Sequence, residues 1–252
     1  MENRAEKVLK CYALCNSLKN VVRTGWKDWH VNRERVESIA EHIYGVQTLA
    51  ILMHSTYGYD LDLRKVVMML AVHELEEVLM GDLTQFQIDR DIKEFIGHKA
   101  VETILKQFAN AEEIRALVYE FDERKTAEAK FAYYCDKLEC DIQSKLYDEE
   151  ECVDLNDQEG NKTMENPYVQ ELLQSGASWS AMWLQFGRGK YNYDKNFTEV
   201  SEYAETHAIS VNPKEYAKQN GIIDLLEYAQ THTKEEFYAY VGEEMPKQKG
   251  VK

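Results

Sequence analysis

Proline and glycine are scarce in this sequence, 3 and 12 residues in a chain of 252. Proteins built from strands and tight turns draw heavily on both, because turns need a fixed or a positive φ. Their shortage excludes a sandwich or a barrel, and the abundance of Glu, Lys, Leu and Ala points to an all-α fold. Positive charge is also short, 30 Lys and Arg against 45 Asp and Glu, for a formal net charge of -15. No surplus of cations exists to neutralise a phosphate backbone, so neither nucleic acid nor an anionic membrane is an expected partner, although local basic pockets stay open. The five cysteines are odd in number, scattered and without C-x-x-C spacing. That excludes a disulfide framework and a thiolate zinc site and suits a reducing cytoplasm. No apolar run is long enough to span a bilayer and the charged N-terminus lacks a signal core, so the expectation is a soluble, unprocessed, cytoplasmic protein.

What is present is helical periodicity without internal repeats. A first helix is predicted over about Ala5 to Leu18, followed by an irregular stretch from Arg23 to Arg35. Ser38 with Glu41 three residues later is a capping box ahead of Ile39, Ile43, Val46, Ala50 and Met53, which predicts a helix start at Ser38. After a turn at Tyr57 to Asp60, Leu63, Val66, Val67, Leu70, Ala71 and Val78 predict one helix from about Asp62 to Met80, with Gly81 as its C-cap. Further helices are predicted over Ile92 to Phe108, Ala111 to Phe121 and Thr126 to Tyr147. Asp148 to Glu165 reads as a surface loop, and Asn166-Pro167 and Asn212-Pro213 each place a cap residue before a helix-initiating proline. Gly187-Arg188-Gly189 reads as an interruption. The length suits one main domain, residues 1–207, with a C-terminal helical extension over 208–252.

Several polar residues fall where core residues belong. His42 lies three residues after Ile39 and four before Val46, and His73 lies three after Leu70, so both point inward. Glu77 shares the face of His73, Glu74 sits one position round, and Asp136 is at the edge of an apolar stripe. Any one of these alone reads as a satisfied core histidine or a capping carboxylate. Together, two buried histidines and two buried carboxylates cost several kcal/mol unless something compensates. A single divalent metal ion would do so, and imidazoles with carboxylates suit Mn, Co, Fe or Zn in preference to Mg.

The ordered run of these residues resembles the HD-domain phosphohydrolases, whose pattern is H...HD...D, with an expected fold of an HD-domain helical bundle. Arg23-Thr-Gly-Trp26, Glu37 to His42, His73-Glu-Leu-Glu-Glu77, Gly81-Asp82-Leu-Thr84 and Asp136-Lys-Leu-Glu139, with Gln143 and Tyr147, are similar to the branch that hydrolyses deoxyribonucleoside 5'-monophosphates. The likeness covers about residues 8 to 150. It implies that His42, His73, Glu74 and Asp136 hold the metal, that Glu77 and Asp82 act on the water or the leaving group, that Arg23 and Trp26 face a nucleotide, and that the protein is a homodimer. Arg33 and Arg35, in the same loop, would serve a phosphate equally well, and apart from the resemblance Arg23 reads as a solvated surface charge or a salt-bridge partner. The sequence departs from the pattern in carrying His-Glu where the family has His-Asp, which moves the carboxylate by about one C–C bond, and catalytic geometry is sensitive to about 1 Å.

The expected reaction is attack of water on the phosphorus of a small phosphorylated substrate, with the ion lowering the pKa of water and neutralising phosphoryl charge. Glu77 either relays a proton or orients His73 through its other ring nitrogen. Asp82 acts in the reaction or caps the segment that follows it, and Trp26 and Trp29 stack on a base or fill the core. Glu139 and Asp141 read as solvated charges, and His30, His54, His98, His207 and His232 as structural or exposed. A nucleotide with a longer phosphate chain is a second possible substrate, disfavoured because the Arg23 to Arg35 loop is poor in lysine. From another class, the rival is a non-catalytic HD protein that binds metal or nucleotide and works through its C-terminal helices.

Overall fold

The computed structural model describes residues 3–244, so 245–252 of the expected extension lie outside the described residues. Among the described residues there is no strand, only one isolated antiparallel bridge between Val22 and Ser38. The chain divides into two units, Met1–Ala208 and Ile209–Lys252.

The first unit opens with α1 (Arg4–Cys15), a 3-10 turn over Asn16–Asn20 and the short α2 (Thr24–Asp28). The helix α3 (Ile39–Tyr57) starts at the capping box: Ser38 Oγ accepts from Glu41 N and Glu41 Oε2 accepts from Ser38 N at 2.9 Å. Such a cap is worth about 1 kcal/mol, enough to set where a helix begins. Gly58 closes α3 with φ 66, a left-handed conformation that glycine adopts without strain. Next come α4 (Leu63–Val72) and α5 (Glu77–Met80). The single helix expected over 62–80 is therefore broken at residues 73–76, where Leu75 N bonds to Val72 O and Glu77 N to Glu74 O, the tighter i to i+3 pattern.

Beyond α6 (Arg90–Leu105) and α7 (Ala111–Glu123), the 23-residue α8 (Ala127–Glu149), capped by Thr126, runs about 35 Å through the unit. It packs against α3, α4 and α7, and against α10 (Trp179–Tyr191) and α11 (Lys195–Thr206); α9 (Pro167–Gln174) is capped by Asn166. The main core joins Val46, Met53, Met69, Leu70, Phe131 and Leu138, each under 4 % exposed. Burying a side chain of this size is worth about 1.5–3 kcal/mol. A second cluster, Trp26, Trp29, Tyr147 and Trp179, packs edge to face around the end of α8.

The expected interruption at Gly187 to Gly189 is absent, because α10 runs straight through it. Gly187 serves close approach instead: a Cβ there would overlap the carboxylate of Asp141 on α8. The second unit holds α12 (Pro213–Gln219), α13 (Ile222–Thr231) and α14 (Lys234–Val241), with Asn212 capping the first and a Thr233-Glu236 capping box starting the last. None of these three helices contains a fully buried residue. No helix among the described residues is long and apolar enough to cross a membrane.

Candidate metal centre and its two cavities

Three local structures deliver four donors to one point. The first turn of α3 carries His42, the break between α4 and α5 carries His73 and Glu74, and the middle of α8 carries Asp136. His42 Nε2 lies 3.2 Å from Asp136 Oδ1 and 3.8 Å from Glu74 Oε1. His73 Nε2 lies 3.8 Å from Glu74 Oε1 and 4.0 Å from Asp136 Oδ1. One donor atom from each of the four lies within 4.8 Å of the others.

The other ring nitrogens are already used. His42 Nδ1 is 2.6 Å from Glu139 Oε2, and His73 Nδ1 is 2.8 Å from the carbonyl oxygen of Leu70, which accepts its proton. Both rings thereby present Nε2 to the shared point, as metal-binding histidines do. His42 Nε2, His73 Nε2 and Asp136 Oδ1 are buried without a hydrogen-bond partner, a costly arrangement unless an ion completes it. Metal–ligand bonds of about 2.1 Å place adjacent donors about 3–3.5 Å apart, so the observed spacings of 3.2–4.0 Å fit a divalent ion with small side-chain adjustments. Glu74 reaches the same point as the other donors despite its extra methylene.

Electrostatics support an ionised cluster. Burial opposes charge on Asp136, but Lys137 and the neighbouring rings of His42 and His73 outweigh it and hold the carboxyl well below its usual range. Lys137 Nζ sits 2.7 Å from Asp136 Oδ2, leaving Oδ1 for the centre. Burial likewise opposes charge on Glu74, while His73 and Arg23 bring its pKa down. Burial holds His73 below its ordinary value, whereas on His42 burial and Arg23 are overcome by Glu139, Cys140 and Asp136, raising it.

Around this core the expected roles shift. Arg23 is no solvated surface charge: its guanidinium donates to Glu74 Oε1 at 3.2 Å and to Cys140 Sγ at 3.0 Å. Trp26 is 2 % exposed, seated among aromatic rings with Nε1 donating to Glu37 Oε2 at 2.7 Å, so it borders a cavity only as part of the core. Arg33 does not join the site. It pairs with Glu150 at the surface and lies on neither cavity wall, because the chain after α2 turns away toward the end of α8. Asp82 neither caps its own following segment nor touches the cluster: its carboxylate accepts from Thr24 N at 2.6 Å, at the start of α2.

Glu77 does not orient His73, since Leu70 does that. Its Oε1 accepts from Lys93 Nζ at 3.1 Å while Oε2 is buried without a partner. Burial, then the charges of Glu74 and Asp82, push its pKa up to about 9. Its neighbour Glu76, which drew no attention in the sequence, faces the cavity next to His73 and is pushed up to about 8 by burial and Glu74.

Glu139 and Asp141 are not solvated charges, being 7 % and 2 % exposed. Gly45 makes room for Glu139, whose carboxylate would collide with a Cβ at that position. A glycine inside a strongly helical segment, one turn after His42, was the available signal. His98, half-buried, bonds Asp122 Oδ2 at 2.8 Å on the same cavity wall as His73.

Two cavities open beside the centre. One of 430 Å³ has His73, Glu74 and Asp136 in its wall together with five cationic side chains. The other, 310 Å³, is bordered by Arg23, Asp82 and Cys140 and by the rings of Trp183 and Phe186. Lys137, Lys190 and Tyr191 belong to both walls.

The family model described as "HD domain" matches residues 15–185. The chain is 29% identical over 150 residues to the 5'-deoxynucleotidase HDDC2 of Dictyostelium discoideum, covering 56% of this chain and 78% of that protein. It is 30% identical over 138 residues to the 5'-deoxynucleotidase hdd1 of Schizosaccharomyces pombe, covering 52% of this chain and 67% of that one. A crystal structure of a predicted metal-dependent phosphohydrolase from Magnetospirillum magnetotacticum MS-1 has the same fold, with a TM-score of 0.52 at 20% identity over 87% of this chain and 95% of that chain. With a match that takes in α3, the His73-Glu74 turn and all of α8, the chain belongs to the HD-domain family.

Proposed function

We infer that this protein is a metal-dependent phosphohydrolase that hydrolyses nucleoside 5'-monophosphates, deoxyribonucleotides among them, with His42, His73, Glu74 and Asp136 holding one divalent ion. The observation that carries the reading is the convergence of buried, unpartnered Nε2 and Oδ1 atoms beside a cation-rich cavity. The 5'-deoxynucleotidase relatives supply the substrate class. A divalent ion in this site supplies charge against the phosphoryl oxygens and makes water more acidic, and two imidazoles favour Mn, Co, Fe or Zn over Mg.

The protein's own groups do the rest. Arg23 fixes Glu74, and Lys137, which lines both cavities, fixes Asp136. Glu77, which lines neither cavity wall but follows Glu74 in the same turn and has its pKa pushed up to about 9, is the candidate acid for the leaving oxygen, and Asp82 contributes by raising its proton affinity and by anchoring α2. The aromatic wall of the second cavity takes the nucleoside, where the buried, unpartnered Nε1 of Trp183 offers a donor. A cytoplasmic location fits five free thiols, a homodimer is expected from the family resemblance, and neither nucleic acid nor membrane enters this reading. The test is the full-length protein with Mn, Co or Mg on a panel of nucleoside 5'-monophosphates. Release of phosphate is expected, and stoichiometric metal binding without turnover of any of them overturns the assignment.

A further inference from the structure

For a chain of net charge -15, the larger cavity is unusual in gathering Arg90, Lys93, Arg124, Lys137 and Lys190 from four different elements. Two of these have carboxylate partners, Lys93 with Glu77 and Lys137 with Asp136. Among the described residues, Arg90 and Lys190 have no ion-pair partner. Arg124 uses only Nε, on the carbonyl of Asp122, and its guanidinium lies 4.7 Å over the ring of Tyr133. Lys137 Nζ lies 5.3 Å from the same ring, and Lys190 Nζ lies 5.3 Å from the rings of both Tyr191 and Phe186, the latter bordering the second cavity.

The arrangement is unfavourable by itself, although Arg90 and Lys190 both keep exposed surface. Lys190 is held below its ordinary value first by burial and then by repulsion from Lys137 and Arg90, with Asp141 opposing. Arg90 is the first residue of α6, at the positive end of the helix dipole, where a cation is the wrong sign. An anion held among these groups in the cavity would offset both costs, and Asp136 cannot supply it, since it is already matched by Lys137.

We propose that Arg90, Arg124 and Lys190 bind a second phosphoryl group of the substrate, one that is not hydrolysed, so that the preferred substrate is a nucleoside carrying two phosphates rather than one. This rests on the preceding reading, which puts the scissile phosphate at the four-donor centre. It also reverses the expectation drawn from the lysine-poor Arg23 to Arg35 loop, because the cations come from α6, α10 and the end of α7 instead.

Two measurements test it. With Mn-loaded protein, KM for a nucleoside 3',5'-bisphosphate or a 5'-diphosphate is expected to be on the order of tenfold or more below that for the 5'-monophosphate, since charge-assisted contacts to phosphate are the strong ones. Which of the two is preferred tells whether the second phosphate is separate from the first or joined to it. The double variant Arg90→Ala/Lys190→Ala is expected to bring the KM values together, and Lys190→Arg to keep them apart. Equal KM values in the wild type, or an equal change for all substrates in the double variant, overturns the proposal. Independently, calorimetric titration of EDTA-treated protein with inorganic pyrophosphate should show binding that the double variant weakens at least about tenfold. Unchanged binding there overturns the second-phosphate site. Failure of all hydrolysis, with the pyrophosphate difference intact, overturns the catalytic reading alone.

Discussion

Glu139→Gln is the sharpest probe of how the fold tunes the centre. The carboxylate lies 2.6 Å from Nδ1 of His42, a ring with no exposure to solvent. The amide keeps an acceptor of the same shape but removes the charge that makes the imidazole a stronger ligand. Losing such a partner costs about 10–100-fold in metal affinity, and burial with a short bond puts this case toward the upper end, about 2–3 kcal/mol. The deficit depends on pH in a definite sense. Without metal, burial and Arg23 disfavour a proton on His42, but Glu139 and its neighbours prevail and raise the pKa, so metal must displace that proton. Removing the charge weakens both competitors, ion and proton. The proton competes least at the highest pH, where the variant's loss is largest; as the pH falls, the wild type is hindered more and the two affinities converge. Competition with a chromophoric chelator for Zn or Mn from pH 6 to 8.5 measures this. A ratio of the two affinities that does not grow as the pH rises refutes the reasoning.

Glu77→Gln is expected to leave metal content unchanged and to lower kcat by about 10²–10⁴; an equal loss in Glu76→Gln with a normal rate in Glu77→Gln transfers the acid role to Glu76. Glu37, pushed up to about 7 by burial and Glu139 against the pull of His42, Arg23 and the Trp26 bond, binds a proton in the fold that it has already lost when unfolded. Its contribution to stability therefore falls as pH rises from about 4.5 to 7, by up to about 3 kcal/mol. Urea unfolding at pH 5 and pH 8 should show a smaller difference in Glu37→Gln than in wild type, and an identical difference rejects the assignment. Gly187→Ala gains about 1 kcal/mol of helix propensity but drives a methyl group into Asp141, at a cost of about 1–3 kcal/mol. A lowered Tm is expected, and a raised one means α8 and α10 part without strain.

The sequence reveals what is local. Ser38, Thr126, Asn166 and Asn212 cap helices where their side chains stand beside the amides they satisfy, and these signals need no knowledge of the fold. The break at 73–76 is hidden because Leu70 and Val78 continue the apolar period across it. Gly187 carries two meanings, a break or a close approach, and Asp141, which decides between them, lies on another helix. Glu139 looked solvated for the same reason: its partner His42 is 97 residues away. The cations of the larger cavity are scattered over four elements, so no charge run betrays them.

The break between α4 and α5 ties these observations together. On a regular helix, residues i and i+1 point in directions about 100° apart and do not face one another. A histidine and a carboxylate adjacent in sequence can then share a metal only if the helix deforms or the side chains bend round it. Here the winding tightens just after α4, His73 is anchored by its own helix through Leu70, and the long Glu74 side chain is drawn by Arg23 to within 3.8 Å of both imidazole nitrogens. The extra methylene that sets this sequence apart from the His-Asp pattern is taken up in that reach. What looked in sequence like a displaced ligand is, in three dimensions, a carboxylate positioned from the outside by an arginine, so the geometry of Glu74 depends on Arg23 as much as on the helix that carries it.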